Sequence, residues 1–83
     1  MPVKITKSLD LSGQKCPINF LKAKIALEEM APSEIIELFL DEGEPVKNVP
    51  RSLEMEGHLV IDIEKVDKIY RVLVVKEGQN VSI

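Results

Sequence analysis

A two-layer α/β (α+β) sandwich, a four-stranded mixed sheet with two helices on one face, is the fold this sequence of 83 residues predicts. Three observations point to it. Apolar residues recur at every second position near the start and again near the end, and at helical spacing in between. Two helical patterns separate the first three strand-like stretches, which calls for crossover connections with the helices packed on the sheet. The last two strand-like stretches are joined only by a short polar turn, which calls for a hairpin. The order is βαβαββ, and the length leaves room for one domain, residues 1–83.

Residues 3–11 alternate, with Ile5, Leu9 and Leu11 on one side and Lys4, Thr6, Ser8 and Asp10 on the other, the pattern of a half-buried strand ended by Ser12-Gly13. Residues 17–30 predict a helix that opens at Pro17, where a missing amide proton costs nothing, and stops at Ala31-Pro32. On a wheel of about 100° per residue, Phe20, Ala23, Ala26, Leu27 and Met30 gather on a face toward the sheet. Ile18, Leu21 and Ile25 form a second ridge on the opposite side. A surface helix needs only one apolar face, so Ile18, Leu21 and Ile25, with Lys22 beside them, form a candidate partner-binding surface.

Residues 34–40 (EIIELFL) are mostly apolar and predict a central strand, followed by an acidic turn around Gly43. Pro50 would break a helix running from Pro45. The spacing therefore predicts a turn at 45–49, then a short helix with Pro50 in its first position, Asn48 as its cap and Gly57 as its left-handed end. Leu59, Ile61 and Ile63 alternate with His58, Val60, Asp62 and Glu64, and residues 69–76 run back as the second hairpin strand. The tail EGQNVSI is expected to be loose.

Composition narrows the function classes. The chain is 45% hydrophobic and 30% charged, has no Trp and is only 4% aromatic, so its core is aliphatic. No apolar stretch predicts a secretory signal or a membrane span. One Cys cannot staple the fold, and a reducing, cytoplasmic setting is expected. A net charge of −3 disfavours nucleic acid. The charge is uneven: residues 1–27 hold Lys4, Lys7, Lys15, Lys22 and Lys24 against Asp10 alone, whereas residues 28–44 hold seven acids and no base. The basic end surrounds the cysteine.

That cysteine, Cys16, lies between Lys15 and Pro17. With Pro17 opening the helix, Cys16 is predicted as its N-cap, beside unpaired amides and the positive end of the macrodipole. Thiols in such places have pKa values lowered to about 3.5–7.5, and Lys15 and Lys22 add positive potential. A lone thiol excludes an intramolecular dithiol cycle, and one Cys with one His falls short of a zinc set. His58 stands far along the chain and is expected as a surface strand residue rather than a base for the thiol. Gly13 stands alone, so there is no phosphate loop. Intermolecular chemistry at sulfur survives: accept a group, carry it, pass it on.

LDLSGQKCPINFLKAKIALEEM resembles the signature of the TusA/SirA-like sulfur carriers, in which Leu-Asp and a short Gly loop lead to Cys-Pro opening a helix. LFLDEGEPVKNVPRSLEMEGHLV resembles the second half of the same family, so the likeness spans roughly residues 8–76. It implies the βαβαββ sandwich and a catalytic Cys16 within a motif that includes Gly13, Lys15, Pro17 and Asn19. Cys16 would carry persulfide sulfur from a donor such as a cysteine desulfurase or rhodanese to an acceptor enzyme. In the family that acceptor serves tRNA thiolation, molybdenum-cofactor metabolism or sulfur metabolism. The chain would act as a sulfurtransferase-type carrier rather than a free-standing enzyme. It would use no cofactor beyond the transient sulfur and bind protein partners as a monomer, with no direct nucleic-acid or membrane contact. One departure stands out: the family usually has Cys-Pro-x-Pro, and here the run is Cys16-Pro17-Ile18-Asn19. Asn19 restores an amide and is expected to reach back toward the Cys16 backbone as a weak capping box.

Two other classes compete. A non-catalytic regulatory or protein-binding module would use Cys16 only as a helix cap, which Ser would serve equally well. An RNA-binding domain is suggested by a topology that also resembles the C-terminal domain of a bacterial translation initiation factor. The acidic balance and scarce aromatics weigh against it.

Overall fold

In the computed structural model, which describes residues 5–15 and 17–76, the elements follow in the predicted order. They are β1 (Ile5–Asp10), α1 (Ile18–Glu28), β2 (Ile35–Asp41), α2 (Glu44–Met55), β3 (Leu59–Val66) and β4 (Ile69–Val75). The expectations for Val3, Lys4 and the tail 77–83 lie outside the described residues. The four strands form one sheet in the order β1-β2-β4-β3, with β1 and β2 parallel and the other two pairings antiparallel.

Alternation on the central strand sorts the two faces. Ile36, Leu38 and Leu40 of β2 are buried and stand opposite Val74, Val72 and Tyr70 of β4. Ala23, Ala26, Leu27 and Met30 of the first helical segment and Val49 and Leu53 of α2 close over this face in one aliphatic core. Each fully buried Leu or Ile here contributes about 1.5–3 kcal/mol. The inner face predicted for α1 is the one observed, and the three ridge residues point away from the core.

On the other face, a polar chain crosses all four strands. Ser8 Oγ donates to Glu37 (2.9 Å), Arg71 Nε donates to the other Glu37 oxygen (2.6 Å), and Arg71 Nη1 reaches Glu64 (2.8 Å).

The second helix corrects the sequence reading. It is not a turn at 45–49 followed by a short helix: it is continuous from Glu44, with Pro45 in its first turn, Asn48 mid-helix rather than at a cap, and Pro50 inside. An interior Pro costs about 3 kcal/mol. Here the bond it forgoes would have gone to Val46 in the first turn, and Pro50 itself is buried between Val49 and Leu53. Packing on the sheet outweighs the local penalty.

The end of α2 is as predicted. Gly57 takes φ 101°, with its amide donating to Glu54 O (3.0 Å) and the His58 amide to Leu53 O (3.1 Å). That pair of bonds is a Schellman closure.

The alternation expected of β3 is interrupted. Its register against β4 shifts between Val60 and Asp62, so Val60 and Ile63 face Val74 and Val72. Leu59, Ile61, Ile63 and Val66 all remain exposed on this edge strand. No helix among the described residues is long and apolar enough to cross a membrane.

Candidate functional site

The loop that leaves β1 is held at three points. The Leu11 amide continues the ladder by donating to Phe39 O (2.8 Å), and its side chain is fully buried. Asp10 Oδ1 accepts both the Ser12 amide (3.0 Å) and the Ser12 hydroxyl (2.6 Å), an Asx-type turn. The Ser12 hydroxyl first, and its amide second, hold the Asp10 carboxyl below its usual range. The Gly13 amide donates to Asp41 Oδ2 at the end of β2 (2.7 Å). Gly13 has φ 82°, a left-handed turn that any side chain would strain, although the space around it is open.

Helical turning begins before α1 itself. The Asn19 amide donates to Lys15 O (3.0 Å) and the Leu21 amide to Pro17 O (2.9 Å). Pro17 occupies the cap position and Ile18 opens the helix. The expectation of Pro17 in the first helical position with Cys16 as N-cap is therefore corrected by one residue. Proline has no side-chain oxygen to offer, no cap hydrogen bond forms, and the first turn has no acid. No acidic side chain faces the positive end of α1 within its first turn, although the Asn19 side chain takes up the Phe20 amide. The expectation of an exposed sulfur falls on Cys16, which lies outside the described residues.

Asn19 is wholly buried. Among the described residues its Oδ1 accepts from the Phe20 amide (2.7 Å), and its Nδ2 has no partner. An unpaired buried donor costs about 1–3 kcal/mol, so its presence at this turn calls for an explanation. The capping box toward Cys16 involves a residue outside those described.

Lys15 is exposed at the loop tip and Lys22 on the outer side of α1. Ile18, Leu21 and Ile25 are 49%, 47% and 56% exposed, so the predicted ridge is solvent-facing and begins at the motif itself. Lys24 pairs with Glu56 of the α2 end (3.5 Å).

The basic surroundings inferred along the chain do not survive folding. Because β1 and β2 are parallel neighbours, their carboxyl ends lie side by side, and the acidic turn after β2 meets the cysteine loop. Gly13, Gln14 and Lys15 form one wall and Asp41, Glu42, Glu44 and Pro45 the other of an open cleft of about 460 Å³. One lysine faces three acids there. The signal was available in the βαβ topology, since crevices form at the carboxyl ends of parallel strands.

His58 leads into β3 at the opposite end of the sheet. Leu59 stands beside Val75, and Val75 beside Ile35, whereas the loop leaves β1 past Phe39 and Asp41. His58 therefore lies at the end of the sheet away from the loop of residues 12–15.

Comparison with known proteins bears on the same loop. A family model described as "Sulfurtransferase TusA" matches residues 7–76. A protein of Archaeoglobus fulgidus named "Putative sulfur carrier protein" is 40% identical over 76 residues, covering 90% of this chain and 86% of that one. A Thermotoga maritima protein of the same name is 36% identical over 63 residues, 76% of this chain and 80% of the relative. The crystal structure of a SirA-like protein from Desulfitobacterium hafniense superposes with a TM-score of 0.75 at 26% identity, covering 88% of this chain and all of that one.

Proposed function

Because the chain belongs to the TusA sulfurtransferase family, we propose that it carries sulfur as a persulfide on Cys16 between a donor and an acceptor protein. The observation that carries this reading is the family match running through the chain's only cysteine. The local geometry supports it: the 12–15 loop is tethered through Gly13 to Asp41 and leads into a helix start with no side-chain cap and no acid in its first turn. Such an end stabilises an anion.

In the first step the Cys16 thiolate attacks the outer sulfur of a donor persulfide. A new S–S bond forms to Cys16, the donor's S–S bond breaks, and the donor leaves as its thiolate. Sulfur moves at the sulfane level, so no external oxidant or reductant enters. The acceptor then takes the outer sulfur by the same exchange and restores the Cys16 thiolate. A cysteine desulfurase or rhodanese fits the donor role; tRNA thiolation, molybdenum-cofactor and sulfur metabolism are the candidate destinations. The thiol stays competent only in a reducing, cytoplasmic setting.

Partner recognition falls to the Ile18–Leu21–Ile25 ridge with Lys15 and Lys22, which make no ion pair among the described residues. The carrier works as a monomer. Two-fold pairing of edge strand β3 centred on Asp62, Ile63, Glu64 or Lys65 would set like charges opposite each other, the device that keeps sheet edges apart. The rival reading of Cys16 as a mere helix cap is disfavoured because Pro17 holds that position.

The test is direct. After incubation with a cysteine desulfurase and cysteine, the intact mass of the wild type should rise by one sulfur atom and that of Cys16→Ala should not. Absence of the adduct on the wild type, or the same adduct on the variant, ends the carrier reading.

A further inference from the structure

β3 ends the sheet on one side yet carries the side chains of an interior strand. Among the described residues, four of the eight exposed large hydrophobics lie on it: Leu59, Ile61, Ile63 and Val66, each between 40% and 50% exposed. β1, the edge on the other side of the sheet, contributes none. A long edge that shows aliphatic side chains beside unpaired backbone groups invites pairing with another chain.

Register and charge say which chain. Past the shift between Val60 and Asp62, residues 62–66 run regularly against β4. Ile63 and Lys65 stand beside Val72 and Tyr70 on the side the helices cover, whereas Asp62, Glu64 and Val66 stand beside Leu73, Arg71 and Ile69 on the open side. The open side next to this edge holds Glu37, Asp62 and Glu64 against one base, Arg71, which already bridges Glu37 and Glu64. Asp62 is exposed and has no ion pair among the described residues. A second copy would bring the same surplus of acid to the edge, and two-fold pairing across residues 62–65 sets like charges opposite each other. The complementary occupant is an extended segment of another protein, basic on the open side and aliphatic on the helix side.

We propose that β3 adds such a segment to the sheet along residues 62–66. Its backbone pairs with the β3 edge, its Lys or Arg side chains lie against Asp62 and Glu64, and its aliphatic side chains cover Ile63. This goes beyond the carrier reading and does not depend on it.

The probe is a short capped peptide alternating lysine and valine, added to the full chain while backbone amide exchange is followed by NMR. With about nine-tenths of the chain occupied, the outward amides of residues 62–66 should exchange roughly tenfold more slowly. The same peptide N-methylated throughout keeps its charge but has no backbone donors, and it should give no protection. Asp62→Lys, a change at an exposed site whose fold is checked by circular dichroism, should weaken the lysine peptide roughly fivefold and strengthen one alternating glutamate and valine.

The wild type with the two lysine peptides gives a reading that does not depend on the variant. Equal protection by the N-methylated peptide, or no protection of residues 62–66 at millimolar peptide, overturns the proposal. Slower exchange of the same amides on concentrating the chain alone, with a doubled mass in sedimentation, makes a second copy the occupant and overturns it too. A chain that takes no sulfur but shows the peptide-dependent protection would end the carrier reading and leave the added strand standing.

Discussion

The end of α2 and the start of α1 are built to opposite standards. At the end of α2, Gly57 turns left-handed and two amides return to Leu53 and Glu54, so the last carbonyls are paired. On the far face of the sheet, both Glu37 oxygens are taken and Arg71 bridges two acids. At the start of α1, the cap is a proline with nothing to donate or accept through its side chain, no acid sits in the first turn, and a buried amide has an idle N–H. Polar groups are matched where the fold needs only to persist. At the start of α1 one buried donor is left over among the described residues, where the proposed function would place a sulfur anion.

The largest effect should come from breaking the unmatched end. Cys16→Ser should abolish sulfur loading in the mass assay while leaving the melting temperature near that of the wild type, since the cap position belongs to Pro17. Loading retained in Cys16→Ser would move the chemistry elsewhere. Next in size is the ridge. Replacing Leu21 and Ile25 together with Asp should slow sulfur uptake from the donor roughly tenfold or more, the scale of losing two buried interface anchors. Their side chains are about half exposed, so thermal stability should change little. A normal transfer rate would assign partner binding to another face.

How much of this was legible in the sequence follows the same division. The strands, the hairpin, the inner face of α1 and the Gly57 end were readable because each rests on a local pattern or a single residue's backbone preference. The start of α2 was not, because Pro50 argues locally against the helix and only burial against the sheet overrules it. The shift in β3 was hidden because Leu59, Ile61 and Ile63 still alternate on paper. Beside the motif, the exposed ridge of Ile18, Leu21 and Ile25 was legible from helical spacing. The acidic wall of Asp41, Glu42 and Glu44 was missed because it arrives through strand pairing rather than along the chain. Asn19 was read as a capping residue although its place on the wheel falls among Phe20, Ala23 and Ala26, the buried sector.

Breaking the matched side should cost stability and spare chemistry. Gly57→Ala forces a side chain into φ 101° and should destabilise the fold by about 1–2 kcal/mol, read as a lower urea midpoint. Sulfur loading of the folded fraction should be unchanged. A variant as stable as the wild type would show that the Schellman closure relaxes around a side chain and is not the constraint that ends α2.

The smallest effect sharpens the contrast through pH. Glu37 lies below its ordinary value of 4.5, chiefly because Arg71 donates to it, with the Ser8 bond assisting and burial opposing. A carboxylate lowered on folding stabilises the native state above its unfolded value, and that contribution is lost as pH falls through the lower folded value. The two side chains are 18% and 26% exposed, so the pair is screened less than a fully exposed bridge and a small stabilisation is expected. Urea midpoints of wild type and Glu37→Gln should therefore differ by a constant amount from pH 7 down to about 5, then converge as the pH drops further. Asp10, lowered by Ser12, titrates in the same direction but is present in both proteins and cancels in the difference. A gap that persists unchanged at pH 3 would mean that Glu37 acts through packing rather than charge. The matched face would then owe its order to shape rather than to the charge on Glu37.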